Sequence, residues 1–180
     1  MRISFCPLII LAVVLAGCGS PSPEEIRAES ARLRGSFDRH RTDYMDAIEA
    51  ANKLTPETIA WLDGAAITAS RAQAVADAHM IMNKWAIAYF GPRYMHEQLR
   101  FDKYSAPEVA AVQKRMLDHL KRIYVEYHDY QRYAQHAADT SMHGMPAGRL
   151  PPQLQEFRRR LMERKPTADE ITPLLDSLPK

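Results

Sequence analysis

The chain has 180 residues, with 24 Lys and Arg set against 22 Asp and Glu for a formal charge of +2. So even a balance gives no global electrostatic case for nucleic acid as a partner. The two cysteines, Cys6 and Cys18, both fall in the first 18 residues, so the body of the chain has no disulfide, no Cys-based metal site and no Cys nucleophile. Only seven glycines and a wealth of Ala, Arg, Glu and Met suit helices. No alternating β-branched run marks a strand.

Residues 1–17 divide into a short positive start, Met1-Arg2, an apolar stretch from Ile3 to Leu15 interrupted only by Ser4 and Pro7, and the small pair Ala16-Gly17. This is the layout of a secretory signal peptide, and the stretch is shorter than the roughly 20 residues a spanning helix needs. Leu15-Ala16-Gly17-Cys18 resembles the lipobox of bacterial lipoproteins, a Leu, two small residues and a Cys; the resemblance covers residues 1–18 only. It implies that the Cys18 thiol carries a lipid, that a dedicated peptidase cuts between Gly17 and Cys18, and that the new amino group is acylated. In that family an Asp after the Cys favours the inner membrane. Gly19 stands there in this chain, which implies the outer membrane, facing the periplasm. Several acyl chains on one residue make desorption negligible, since each buried CH₂ contributes about 0.8 kcal/mol. The expected organisation is a cleaved signal over 1–17, a lipidated Cys and tether over 18–23, and one helical domain over 24–180. Arg2 is the only charged side chain in the signal, so its removal lowers the formal charge from +2 to +1.

Ser22 is placed to cap the first long helix, with Pro23 at its first position and Glu24-Glu25 in its first turn. That helix is expected over about 23–53. One inward row is Ile26, Leu33, His40 and Ala47; the other is Ser30, Phe37, Tyr44 and Ala51, with Ile48 beside them. Thr55-Pro56 reads as the cap and first position of a separate short helix bearing Ile59, Trp61 and Leu62. A second long helix is expected over roughly 65–90 on the stripe Val75, Ala78, Met82, Trp85 and Tyr89, widened by Ile81, Ala86 and Ala88. Its breadth predicts neighbours on two sides. Gly91-Pro92 reads as a stop or sharp bend, with residues 93–103 as a shorter continuation.

Ser105 and Glu108 form a capping-box signature ahead of a third long helix over about 106–139. Val109, Met116, Ile123, Tyr130 and Ala137 repeat at seven, beside Leu120, Tyr127 and Ala134. Such a helix is ~50 Å long. Residues 140–152 read as a loop. A short helix follows from 152 to about 165 on Leu154, Phe157 and Leu161. Thr167 and Glu170 form a further capping box, after which Leu174, Leu175 and Leu178 can dock. The sum predicts an all-α fold, an elongated antiparallel bundle of three long helices with shorter C-terminal helices.

Seven histidines raise the question of a metal, yet the Glu-x-x-His pairs of metal-holding bundles are absent. His119, Glu126 and Tyr133 lie seven apart on one flank of the third helix and His40 lies on an inward row of the first. They are the candidates for a polar site between helices, against the simpler reading of a hydrogen-bonded polar layer. Tyr124, Tyr127, Tyr130 and Tyr133 recur at every third position, and each step turns 300°, so the rings wind around the helix and cannot all be buried. Tyr124 and Tyr133, flanked by Arg122 and Arg132, are the candidate partner surface, with bundle rim as the simpler reading. Arg149, Arg158, Arg159, Arg160, Arg164 and Lys165 form a basic segment that Glu156 and Glu163 reduce to a surplus of four. It reads as the solvated face of an amphipathic helix, or else as a contact for anionic headgroups.

No nucleophile elbow, zinc-protease motif or phosphate loop occurs. The expectation is a non-catalytic, membrane-anchored envelope lipoprotein whose helical module contacts other envelope proteins, with no cofactor. The alternative is a periplasmic bundle holding a metal or small ligand among His40, His119, Glu126 and Tyr133.

Overall fold

The computed structural model describes the backbone of residues 20–65, 71–143 and 150–180, so the anchor residues Gly17 and Cys18 and residues 144–149 of the expected loop after the third long helix lie outside the described residues. Within them the chain is all-α: α1 (Pro23–Asp38), α2 (Arg41–Ala65), α3 (Arg71–Leu99), α4 (Pro107–His143), α5 (Pro152–Glu163) and α6 (Ile171–Asp176). There is no strand among the described residues, and no helix is long and apolar enough to cross a membrane.

Side-chain pairing sets the directions. Trp85 meets Tyr127 and Tyr130, Tyr89 meets Tyr124 and His128, and Gln113 donates to the Leu99 carbonyl. Positions on α3 thus fall as their partners on α4 rise, and the two helices are antiparallel. Thr58 with Trp85 and Asp43 with Gly91 set α2 antiparallel to α3 in the same way. α3 is the central helix, packed most extensively on α4 and next on α2. The 37 residues of α4 make it ~55 Å long.

The inward rows fold as expected where packing decides them. Leu33, Phe37, Tyr44, Ala47, Ile48 and Ala51 are buried, as are Val109, Met116, Leu120, Ile123, Tyr127, Tyr130, Ala134 and Ala137. On α3 the seam is Ala74, Ala78, Ile81, Trp85, Ala88, Met95 and Leu99, and Val75, Met82 and Tyr89 stand half-buried at its edge. Leu154, Phe157 and Leu161 seat α5, and Ile171, Leu175 and Leu178 seat the C-terminal turn.

The helix boundaries differ from expectation in four places, one of them the end of α4, which runs on to His143 through the first residues of the expected loop. The first long helix is two, broken at Arg39-His40, where the Arg39 N–H turns to the Phe37 carbonyl. Around the break Ser36 donates to Asp102, and the Phe37 and Tyr44 rings on either side of it meet edge to face at 5.9 Å. Thr55-Pro56 starts nothing, because α2 runs through Pro56. Thr55 faces inward, donating to the Ala51 carbonyl and accepting from Arg164. α3 likewise runs through Gly91-Pro92. Gly91 is needed for proximity: a Cβ there would stand 2.7 Å from the Asp43 carbonyl oxygen and 3.1 Å from Ala47 Cβ. The glycine lets α2 and α3 touch.

The caps are also partly tertiary. Ser22 caps α1 as expected, and Glu25 reaches back to its N–H to complete a reciprocal box. At the start of α4, however, Glu29 of α1 accepts from the Ser105 and Ala106 N–H groups and from the Ser105 hydroxyl. At α6 the Asp169 carboxylate, rather than Thr167, accepts from the Ile171 and Thr172 N–H groups. Arg34 donates to the carbonyls of Leu175, Leu178 and Pro179, closing the other end of that turn.

Candidate functional site

The four residues expected to share a polar site enter different neighbourhoods. His40 sits at the α1–α2 break with its ring against Tyr94 at 5.2 Å. Glu126 accepts from Arg164 and Tyr130. Tyr133 stacks on Phe157 of α5, with centroids 5.1 Å apart and planes 9° apart, under the Arg160 guanidinium. His119 and Glu126 each join a buried polar cluster, but not the same one. Among the described residues no group of three His, Cys, Asp or Glu side chains converges to hold a metal ion.

His119 projects from α4 with 4% of its side chain exposed. Its Nε2 lies 2.9 Å from the buried Tyr44 hydroxyl on α2, and its Nδ1 lies 2.9 Å from Arg122 Nη2 and 3.1 Å from Glu170 Oε2. Arg122 also donates to both Glu170 oxygens, at 2.9 and 2.8 Å. At Nδ1 the Arg122 guanidinium can only donate and the Glu170 carboxylate can only accept, so these two neighbours favour opposite tautomers, and the Tyr44 hydroxyl can serve either one by donating to Nε2 or accepting from it. Burial pulls the His119 pKa below its ordinary value; the Glu170 carboxylate opposes this and Arg122 adds to it. Burial also raises the Tyr44 phenol, leaving it protonated. For Glu170 the burial that would raise its pKa is outweighed by the Arg122 bond and the neighbouring positive charge, and the net shift is downward. Both His119 nitrogens are engaged, so the group fastens the start of α6 to α4 and α2 and presents no free base. Beside it lies an open groove of about 480 Å³ that includes Arg115, Asp118, Asp169 and Leu174.

Because His119 is held neutral, its contribution to stability is present above the unfolded-state pKa near 6.5 and is lost as pH falls through the lower folded value. Unfolding free energy of the wild-type chain is expected to fall between pH 7 and 5, and His119→Gln, which keeps a donor and an acceptor, should flatten part of that slope. Urea titrations at each pH check it; equal slopes for the two chains contradict it.

A second polar cluster escaped the sequence reading. Arg164 follows α5 with only 3% of its side chain exposed. Its Nε donates to Glu126 at 3.0 Å, Nη1 to Asn52 and Thr55 at 3.1 Å each, and Nη2 to Tyr127 at 3.2 Å and to Thr167. All five guanidinium protons are thereby used. Asn52 binds the Thr167 backbone in both directions, at 3.0 and 2.9 Å. Arg164 therefore leaves the basic segment expected over 149–165. Arg158 pairs with Asp63, Arg159 with Glu156 and Glu163, and Arg160 with Glu156 and Asp129. The exposed face of α5 is ion-paired as well as solvated.

Tyr127 and Tyr130 are core, while Tyr124 and Tyr133 are half-buried, Tyr124 edge-on to His96 and Tyr89. Nine large apolar side chains remain open among the described residues; four of them lie on α3, and the others, including Phe101 and Met162, are scattered over other parts of the chain. Ile87 is 70% exposed, Phe90 58%, Tyr94 52% and Met80 46%. Met80, Ile87 and Tyr94 are seven apart, with Phe90 between them, so they form one stripe on the outer face of the helix. Ile87, Phe90, Gly91 and Tyr94 line a groove of about 450 Å³ whose other bank is Asp43, Asp46, Ala47 and Ala50 of α2. No family model, curated protein or solved structure matches this chain.

Proposed function

We propose that the chain is a non-catalytic lipoprotein of the bacterial cell envelope, held at the membrane by lipid on Cys18, whose helical bundle serves as a protein-interaction module. The anchor rests on Leu15-Ala16-Gly17-Cys18 at the end of an apolar leader, and Gly19 favours the outer membrane, facing the periplasm. The interaction reading is carried by the open apolar stripe of Met80, Ile87, Phe90 and Tyr94. Contiguous exposed apolar surface of this kind marks contact sites on soluble domains. The polar clusters support the same reading, since His119 and Arg164 are engaged in fastening one helix to another. The alternative, a bundle that holds a small ligand, draws on the groove beside His119.

Cell fractionation and intact mass test the anchor. The wild-type product is expected in the membrane fraction, beginning at Cys18 with acyl mass added, and Cys18→Ser is expected to be unprocessed or released. A mature chain starting elsewhere without lipid mass contradicts the proposal.

A further inference from the structure

The groove between α2 and α3 has a chemistry that narrows its occupant. Its floor is made of small side chains, Ala47, Ala50 and Gly91, and one bank is the ridge of Ile87, Phe90 and Tyr94. The other bank carries Asp43 and Asp46, both exposed and with no ion pair among the described residues. Lys84 on α3 pairs with Glu57, Arg93 lies over the Tyr89 ring and donates to its hydroxyl, and Arg39, four residues before Asp43, donates to Ser36. An apolar trough a helix can enter, with one acidic edge, is an amphipathic-helix site of the helix-in-groove kind.

Three occupants can be compared on charge. An anionic membrane surface would be repelled by the two carboxylates. A second copy packed groove to groove would bring four carboxylates into one interface, and like charges juxtaposed there disfavour it. A helix with large apolar residues at heptad spacing and Lys or Arg along its flank satisfies both banks at once.

We infer that the α2–α3 groove docks a basic amphipathic helix of another protein, its apolar face on Ile87, Phe90 and Tyr94 and its cationic flank on Asp43 and Asp46. This rests on the interaction reading above and adds the partner's chemistry to it.

The test uses the full mature chain in phosphatidylcholine nanodiscs, with empty nanodiscs as the blank. The probes are two labelled helical peptides of about 21 residues, both with Leu at the heptad seam. One carries Lys on its flanks and the other Glu. Anisotropy is expected to show the Lys helix binding about tenfold tighter, the effect of a few exposed charge pairs. Asp43→Asn with Asp46→Asn should erase that preference. Ile87→Asp and Phe90→Asp, each with an unchanged melt because the side chains are exposed, should weaken both peptides. Overturning results are no binding, equal binding of the two peptides, a preference that survives the Asn pair, or a Phe90-dependent dimer without peptide, which would make a second copy the occupant. If the peptides fail while photo-crosslinks from position 90 to an envelope protein still form in cells, the basic-helix inference falls and the interaction reading stands. If both fail, both fall.

Discussion

Replacing Arg164 by Ala is expected to lower the unfolding free energy by about 3 kcal/mol, the scale for deleting one partner of a buried, hydrogen-bonded charge. Among the described residues the guanidinium is the one group that touches Glu126, Asn52, Thr55, Tyr127 and Thr167 together. Without it the Tyr127 and Thr167 hydroxyls keep only each other, and Glu126 keeps Tyr130. Glu126 is about one-third exposed and can recruit water, which holds the loss below the upper end of the range. For a chain of this size the midpoint of thermal unfolding should drop by roughly 6–12 °C. Arg164→Lys should recover little, because an ammonium has three donors and cannot fork between α2, α4 and the segment before α6. A loss under ~0.5 kcal/mol for Arg164→Ala, in the range of ordinary surface substitutions, contradicts the clamp.

Trp85→Ala is expected to cost about 3–5 kcal/mol, the range for emptying a fully buried aromatic site. Trp85 lies in the middle of the α3 seam with its ring 4.8 Å from Tyr130 and 5.7 Å from Tyr127, and its Nε1 donates to Thr58 of α2. One side chain therefore joins three helices. Tyr130 in turn meets Phe157 at 5.9 Å, so the cavity should loosen α5 as well. Denaturant titration by circular dichroism measures the loss, and Trp61 remains to report on α2 by fluorescence. A stability unchanged from wild type would show that α2, α3 and α4 do not share this core.

The helix faces were legible and the joints were not. Period alone puts Val109, Met116, Ile123 and Tyr130 inside, because a 37-residue helix repeats its core positions many times and one error cannot shift the row. A single dipeptide has no such redundancy. Gly91-Pro92 carries a stop signal in sequence, yet Gly also serves where two backbones must approach, and the contact with Asp43 is invisible until α2 and α3 are set side by side. The break at Arg39-His40 has neither Gly nor Pro within it, so no local signal marks it. Arg164 resembled its basic neighbours because burial depends on Asn52, which lies 112 residues away in sequence. His119 was legible as a flank residue of the third long helix and a candidate for a polar site or layer between helices. Tyr44, placed inside, and Glu170 became its partners only through the return of the C-terminal segment over α4.

A photoreactive residue at position 90, in the membrane-held chain inside cells, tests the interaction claim most directly. Phe90 is exposed, so the substitution leaves the core intact. Lys114, exposed on α4, serves as the control position, and Tyr124 and Tyr133 report on the half-buried rim of α4. The account predicts adducts with another envelope protein from position 90 well above those from position 114, and their loss on adding Ile87→Asp. No adduct above the control from position 90 in a chain with an unchanged melt, or adducts from positions 124 and 133 alone, would contradict it.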